Sequence, residues 1–386
     1  MSGIKTYRTL VAGLSLAATL FLGASCAKME IGERADENIP VSFGTYGQRR
    51  LSSKAGASFV APGGDFAVGS QIGVFGYYHD ASDWATETAA GTNIPDFMYN
   101  QTVTKQDDGS WTYNPIKYWP NEYGSAASSD NVDKLSFWGY YPKGATGLNL
   151  YKPGTTTAFD NGTSGIPKVT FTQSENPDEM VDLMFSGPLT DLYKTQGHIV
   201  GTDEKHYGDI TDGEVLLSFS HALALVDFEI VEGTGAEVYQ IGLTKIKKTG
   251  TCEDPSTGVW TNVTDSYNYS DANLTMSSAV VLRLLAIPQD IDPDAEFSIT
   301  YDITFASSDP GHPEPIVYSG NSGSKKLFKT GTGAYGVTAW EAGKHYTYKI
   351  KAGFERIEFE EIVESVDDWT FWTDPLDPAN HEIDVR

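Results

Sequence analysis

Cysteine is nearly absent from this sequence, whose 386 residues include only Cys26 and Cys252. Cys26 directly follows an N-terminal leader, so the rest of the chain holds a single thiol and no intramolecular disulfide can form. A chain of this length buries enough apolar surface to be held together by its core. We therefore expect a fold without covalent cross-links. Cys252 lies in the turn-like stretch TGTCEDPSTG, and we expect no special role for it.

Positive charge is also scarce. The chain has 27 Lys and Arg residues against 52 Asp and Glu residues, which gives a net charge of −25 at pH 7. Binding to nucleic acid or to anionic lipid headgroups depends on Lys and Arg side chains. The sequence contains neither a basic patch nor a glycine-rich phosphate loop. We therefore predict no nucleic-acid partner.

Motifs for catalysis and metal binding are missing as well. The seven histidines are scattered, without zinc-ligand spacing, and no G-x-S-x-G motif occurs. We interpret His221 as a strand histidine at the edge of a core, with a catalytic base as the minor alternative. The acidic clusters 175–182 and 290–296 lack calcium-loop spacing and are interpreted as solvated loops, which leaves adventitious calcium open. Acid pairs such as Asp367-Asp368 would serve a glycosidase only at a suitable separation. We predict no enzymatic activity, no cofactor and no metal.

The N-terminus has the features of a lipoprotein leader. Lys5 and Arg8 precede an apolar run at 10–22, which is too short to cross a membrane core of about 30 Å. Small residues then lead into Cys26, whose thiol can carry diacylglycerol. We predict that residues 1–25 are a signal peptide and that Cys26 is lipidated, anchoring the precursor in the outer membrane. An ordinary signal peptide with a chance cysteine is the alternative.

Apolar residues alternate with polar ones along most of the remaining chain. In FSITYDITF (297–305), Phe297, Ile299 and Tyr301 share one face, which is typical of a half-buried strand. Frequent turns are indicated by 39 Gly and 18 Pro residues. The sequence predicts an all-β fold. Similar alternation occurs at 215–219, 226–230, 239–243 and 346–350, and continuous apolar runs that predict strands buried on both faces occur at 72–78, 135–141 and 279–287.

A polar region at 194–213 separates two strand-rich halves and predicts a domain junction. We place an N-terminal β-sandwich domain at 51–205 and a C-terminal one at 206–386, since each half has a suitable size for a sandwich. Residues 26–50 form a lipidated N-terminal segment that contains the first strand.

Aromatic residues are concentrated between positions 111 and 141. Such rings either fill a sandwich core or form a platform on which sugars stack. We favour the core. The rings in question are Trp111, Tyr113, Tyr118, Trp119, Phe137, Trp138, Tyr140 and Tyr141.

Several phrases of the sequence together resemble the fimbrillin family, the subunits of type V pili of Gram-negative anaerobes. The resemblance implies two transthyretin-like β-sandwich domains in tandem. It also implies a structural subunit of a cell-surface fimbria, exported as an outer-membrane lipoprotein, whose partners are other fimbrial subunits. The phrases, in the order seen in that family, are IGVFGYY (72–78), FMYNQTVTKQDDGSWTYNPIKYWP (97–120), LSFWGYYP (135–142), VDLMFS (181–186), LSFSHALALVDFEI (217–230), WEAGKHYTYKI (340–350) and VDDW (366–369).

The resemblance also suggests a role for the dibasic pair in TYGQRRLSSKAG (45–56). The preceding phrase, NIPVSFGTY (38–46), reads as an edge or filling strand of the first domain. In the family, a trypsin-like or Arg-specific protease cuts the loop after the first strand. Carried onto this chain, the cut falls after Arg49 or Arg50, with Lys54 as the fallback.

Cutting would let the first strand leave and open a groove that another subunit's extended segment refills. The donor candidates are RIEFEEIV (356–363) and HEIDV (381–385). Three alternatives stay open. The basic loop is simply solvated and uncut, the protein is a non-polymerising surface lipoprotein that binds glycans through exposed aromatics, or it is an outer-membrane hydrolase. The position in the fimbria, as shaft, anchor or tip, is not predicted.

Overall fold

The computed structural model describes residues 40–46, 50–51, 59–60, 66–120, 133–192, 214–232, 236–271, 280–305, 314–327, 337–352 and 357–365. Strands dominate this part of the chain, and its α-helical content is one short helix, α1 (Trp84–Ala90). The prediction of an all-β fold is confirmed. Within the same residues, no helix is long and apolar enough to cross a bilayer.

The strands lie throughout the described chain, with a single 3-10 turn at Pro177–Glu179. In chain order they are β1 (Ser42–Tyr46), β2 (Arg50–Leu51), β3 (Phe59–Val60), β4 (Gln71–His79), β5 (Met98–Lys105), β6 (Trp111–Thr112), β7 (Lys134–Tyr141), β8 (Leu148–Tyr151), β9 (Lys168–Thr172), β10 (Met184–Leu192), β11 (Glu214–His221), β12 (Ala224–Glu232), β13 (Ala236–Cys252), β14 (Trp260–Asp271), β15 (Val280–Ala286), β16 (Gln289–Asp290), β17 (Glu296–Phe305), β18 (Ile316–Lys326), β19 (Ala339–Trp340), β20 (His345–Ala352) and β21 (Ile357–Ser365).

Seven strands form a sheet that closes on itself into a barrel, here called the closed sheet. In spatial order they are β1, β11, β10, β7, β4, β5 and β6. β1 runs parallel to β11, whereas the other neighbours run antiparallel. One pair, Phe43 opposite Trp111, joins β1 to β6 and completes the ring. The turn between β5 and β6 contains Gly109 at φ +88°, as the Asp108-Gly109 sequence predicts.

Two central strands of the closed sheet, β4 and β7, are buried on both faces. The Phe137 side chain points into the interior that the closed sheet encloses, where its ring centroid lies 5.6 Å from that of Phe43. The next residue, Trp138, points outward and lies 6.0 Å from Phe185 in a core shared with the other sheets. The continuous apolar runs of these strands therefore predicted their burial correctly.

The aromatic residues between 111 and 141 are mostly core residues, so this prediction is also confirmed. The exception is Tyr118, which is 49% exposed. Tyr141 is partly buried. The buried rings are Trp111, Tyr113, Trp119, Phe137, Trp138 and Tyr140.

Two further sheets pack face to face. One has the order β15, β12, β20, β21, and the other has the order β18, β17, β13, β9, β8, with β14 paired to β13. Phe228 on β12 stacks on Phe297 of β17 with ring centroids 4.4 Å apart, and on Tyr348 at 4.9 Å. Phe297, Ile299 and Tyr301 are buried, as the alternation in 297–305 predicts. Two small ribbons, β2 with β3 and β16 with β19, complete the described pairings.

Strands from both sides of the predicted boundary between residues 205 and 206 share sheets. β11 follows that boundary in the chain but pairs with β1 and β10 of the closed sheet. Conversely, β8 and β9 precede the boundary but extend the sheet of β13. Residues 193–213, which contain the whole of the predicted junction at 194–213, lie outside the described residues. The division into domains at 51–205 and 206–386 stays a prediction.

Candidate functional site

The first strand of the closed sheet is the feature that the sequence singled out. β1 pairs with β11 over five residues, from Ser42 opposite Glu214 to Tyr46 opposite Ser218. Val41, which immediately precedes β1, and Phe43 are buried at 1% and 3% exposure. The predicted alternation is therefore confirmed at these two positions, while Ile39 lies outside the described residues.

The opposite edge of β1 has a shorter ladder than the edge at β11, and varied hydrogen bonds supplement it. The Val41 N–H donates to the carbonyl of Lys117 at 2.9 Å. The Tyr113 hydroxyl donates to the Val41 carbonyl at 2.7 Å. Further along, the indole N–H of Trp111 donates to Thr45 Oγ1 at 3.0 Å. Two of these three bonds use side chains, so this edge is a seam in the sheet and not a regular ladder.

The Phe43 side chain fills the interior of the closed sheet beside this seam. Its ring meets Tyr113 and Phe137 edge to face, with centroids 5.5 and 5.6 Å apart. Burying a side chain of this size stabilises a fold by about 1.5–3 kcal/mol. Phe43 is thus the main apolar anchor of β1.

The surroundings of β1 define a groove that accepts an extended segment. If β1 left, β11 would lose a neighbour along five residues, and the sites of Val41 and Phe43 would be empty. A strand edge with unpaired N–H and C=O groups is a template for another strand. Alternating pockets below it would fix the register of the incoming chain.

The predicted processing residues are only partly within the described chain. Cys26, Arg49 and Lys54 lie outside it. Arg50 belongs to β2, where its backbone pairs with Val60. The Arg50–Leu51 peptide bond therefore lies within β2, in the short two-stranded ribbon that β2 forms with β3 shortly after β1.

One predicted donor segment is already a strand of its own sheet. β21 covers 357–363 of the candidate 356–363 and pairs antiparallel with β20 at the edge of the four-stranded sheet. It must leave β20 before it can enter another subunit's groove. The second candidate, 381–385, lies outside the described residues.

His221 lies in β11 and is buried, as predicted. The sequence prediction did not include its partner, Asp182. His221 Nδ1 lies 2.8 Å from Asp182 Oδ1, and Asp182 is 6% exposed. The interpretation of 175–182 as a solvated loop is therefore wrong for Asp182. The signal that would have found this pair is the apolar context VDLMF, in which an isolated acid needs a buried partner.

A second histidine forms a serine–histidine–carboxylate series. His79 Nε2 lies 2.8 Å from Ser136 Oγ, and His79 Nδ1 lies 2.8 Å from Glu87 Oε2. Both His79 and Ser136 are completely buried, and the backbone N–H of Asp191 donates to Ser136 Oγ at 2.9 Å. No substrate reaches a serine sealed in this way. The series instead fastens α1, through Glu87, to the closed sheet.

The described acidic groups do not assemble into a metal site. Within the residues that the structure describes, no group of three or more His, Cys, Asp and Glu side chains is placed to hold a metal ion. In the cluster 290–296, Asp294 pairs with Lys245 at 3.1 Å and with Lys326 at 3.0 Å. The pair Asp367-Asp368 lies outside the described residues.

These observations define an all-β protein whose closed sheet is completed by its own N-terminal strand, shortly before a dibasic pair. The chain belongs to the fimbrillin-like family, whose model matches residues 60–369. This match confirms the resemblance read from the sequence phrases. β1 lies just before the matched region.

Several solved structures are similar to this chain at low identity. A candidate cell adhesion protein from Bacteroides uniformis is 16% identical, with a TM-score of 0.45, over 86% of this chain and 99% of that chain. A candidate cell adhesion protein from Bacteroides ovatus is 13% identical, with a TM-score of 0.43, over 88% and 99%. The tip fimbrial protein Mfa3 from Porphyromonas gingivalis is 13% identical, with a TM-score of 0.34, over 78% and 95%. Comparison with curated proteins gives no match.

Proposed function

We propose that this protein is a structural subunit of a cell-surface fimbria and that it polymerises by exchange of its first strand. Membership of the fimbrillin-like family supports the fimbrial role. The observation that carries the strand-exchange mechanism is the position of β1. It completes the closed sheet, buries Val41 and Phe43, and ends shortly before Arg49 and Arg50.

The proposed precursor is a lipoprotein held in the outer membrane through Cys26. One acyl chain alone binds a membrane only marginally, so two or three chains are needed for stable anchoring. A trypsin-like or Arg-specific protease then cuts after Arg49 or Arg50, with Lys54 as the fallback. The cut separates both the lipid and β1 from the rest of the chain.

After the cut, only non-covalent contacts retain β1. Its ladder with β11, the seam bonds at Lys117, Tyr113 and Trp111, and the Phe43 anchor are all reversible. An extended segment of another fimbrial subunit can replace these contacts one for one. The exchange therefore turns a self-complemented monomer into a polymerising subunit.

The burial of the 111–141 aromatics weakens the alternative of a non-polymerising lipoprotein with an aromatic platform there. Tyr118 is the exposed ring of that set at 49%. With one exposed ring, this set offers no row of rings on which a sugar chain could stack. The alternative that places a glycan platform at 111–141 is therefore weakened.

Limited trypsin treatment tests the mechanism. A soluble Cys26→Ala precursor is digested, its new N-terminus is sequenced, and the product is concentrated and examined by native electrophoresis and electron microscopy. We expect a new N-terminus at Arg50, Leu51 or Ala55, followed by a ladder of oligomers. The matched control replaces Arg49, Arg50 and Lys54 with Gln and should stay uncut and monomeric. A correctly cut protein that stays monomeric at high concentration contradicts strand exchange.

A further inference from the structure

We propose that a cleft beside Trp260 binds a neutral oligosaccharide. The cleft has a volume of about 1050 Å³. It lies among the loop 255–259, the start of β14, residues 288–290 and residues 339–343, next to β10 and β11. Ligand sites are usually concave, with a few fixed polar groups around aromatic or apolar surface. The walls of this cleft combine aromatic and apolar side chains with at least as many polar ones, a mixture that suits a sugar.

The Trp260 ring is a rigid, half-buried aromatic surface in this cleft. Its indole N–H donates to the carbonyl of Ala222 at 2.7 Å, which fixes the ring orientation. The ring stacks with Phe185 at 6.5 Å between centroids and 22° between planes. A Cβ at Gly250 would come within 2.8 Å of the Trp260 ring, so glycine is needed at this contact. The ring also lines the cleft, and because it is already held in place, stacking a sugar on it there costs little side-chain conformational freedom.

Asn262 has a left-handed backbone conformation at the rim of the same cleft. Its φ is +49°, a region in which asparagine is enriched among the residues other than glycine. The register between β13 and β14 shifts here, because Thr249 pairs with Thr264 while Thr251 pairs with Thr261. Such bulges re-aim side chains and are frequent next to binding sites. The exposed Asn262 amide is thereby placed at the cleft as both a donor and an acceptor.

The charges around the cleft select the class of ligand. Asp290 and Glu341 are exposed lining residues, and Lys247 is the lining lysine. With a net charge of −25 on the chain, sialylated, sulfated or phosphorylated ligands are repelled. Carboxylate, amide and hydroxyl groups around an aromatic ring match the hydroxyls and apolar faces of neutral sugars.

This proposal is independent of strand exchange. The cleft uses none of β1, β2 or the C-terminal strand β21. The uncut monomer should therefore bind, and loss of polymerisation should leave binding unchanged.

Binding is tested on the soluble Cys26→Ala precursor with immobilised cellotetraose, maltotetraose, diacetylchitobiose and lacto-N-tetraose, against sialyllactose and sulfated lactose. The strongest neutral binder is then titrated by calorimetry. We expect Trp260→Ala and Asn262→Gly each to weaken binding about tenfold or more. Asn262→Gly keeps the backbone conformation, so it separates lost binding from lost folding. Tyr118→Ala, at an exposed aromatic outside the cleft, is the matched control and should bind normally.

Three results would overturn the proposal. They are no binding to any of the four neutral sugars, stronger binding to the acidic sugars, and unchanged binding by a folded Trp260→Ala or Asn262→Gly variant.

Discussion

Cys252 shows how a residue's environment can differ from its sequence context. The stretch around it indicated a turn, but Cys252 is the last residue of β13 and is fully buried. Burial, together with the nearby Asp254 and Glu253 carboxylates, raises the pKa of its thiol to about 12. Since the thiolate is the reactive form, we expect no iodoacetamide labelling of the folded Cys26→Ala protein at pH 8 and complete labelling in urea. Rapid labelling of the folded protein would show that this end of β13 is open.

Asp227 is a second residue whose neighbours decide its chemistry. Arg283 donates to it at 2.7 and 2.6 Å, and His345 lies at 3.1 Å. Burial favours a higher pKa, but the hydrogen bonds from Arg283 and His345 outweigh it, and the pKa of Asp227 is lowered. The carboxylate therefore stabilises the fold above the unfolded-state pKa of about 3.9, and this contribution is lost as the pH falls through the lower folded-state value.

Replacing Asp227 tests this linkage. We expect Asp227→Asn to lower the free energy of unfolding by about 3–5 kcal/mol at pH 7, because Arg283 and His345 lose the charged acceptor that they share. The difference from wild type should narrow as the pH falls below about 4. Urea unfolding at pH 7 and pH 3 measures both effects. The exposed Asp107→Asn variant is the control. If the free energies of unfolding of Asp227→Asn and wild type differ by the same amount at pH 7 and pH 3, the linkage is contradicted.

At the scale of elements, β1 combines a strong anchor with a weak seam. Phe43→Ala removes the anchor, and we expect a loss of about 3–5 kcal/mol in the free energy of unfolding. Ser42→Ala changes the neighbouring, partly exposed residue of the same strand and should cost much less. Urea unfolding of the uncut protein gives both values. Equal effects of the two substitutions would mean that Phe43 does not anchor the strand.

In the molecule as a whole, the closed sheet and the sheet of β13 each contain strands from both sides of the predicted domain boundary. Residues 51–205 lack β11 of the closed sheet, and residues 206–386 lack β8 and β9. One buried cluster also joins Trp138 and Phe185 to the core around Phe228. We expect neither fragment to fold alone and the two together to regain strand content, as measured by circular dichroism and NMR dispersion. A well-folded 206–386 fragment would establish it as an independent domain.

The fold class, the main core strands and the family could be predicted from the residues alone. Alternation at 297–305 and the continuous apolar runs at 72–78 and 135–141 are local patterns, and burial of one or both faces follows from them directly. The absence of basic patches and catalytic motifs likewise needs no structure. Lipidation of Cys26 and cleavage at Arg49 or Arg50 are sequence predictions that stay predictions, because the deciding events are chemical modifications of the chain.

Which distant residues meet depends on the packing of the whole fold and could not be predicted from the sequence. The parallel pairing of β1 with β11 joins positions that are far apart in the chain, and no local period encodes such a partner. The same holds for the pairing of His221 with Asp182, for the burial of Cys252, and for the cleft formed around Trp260. Hydrophobic pattern selects which face of a strand is buried, but strand order depends on how all the sheets pack together. For this reason the sequence predicted the strand that fills the groove, and the structure identified the walls of that groove.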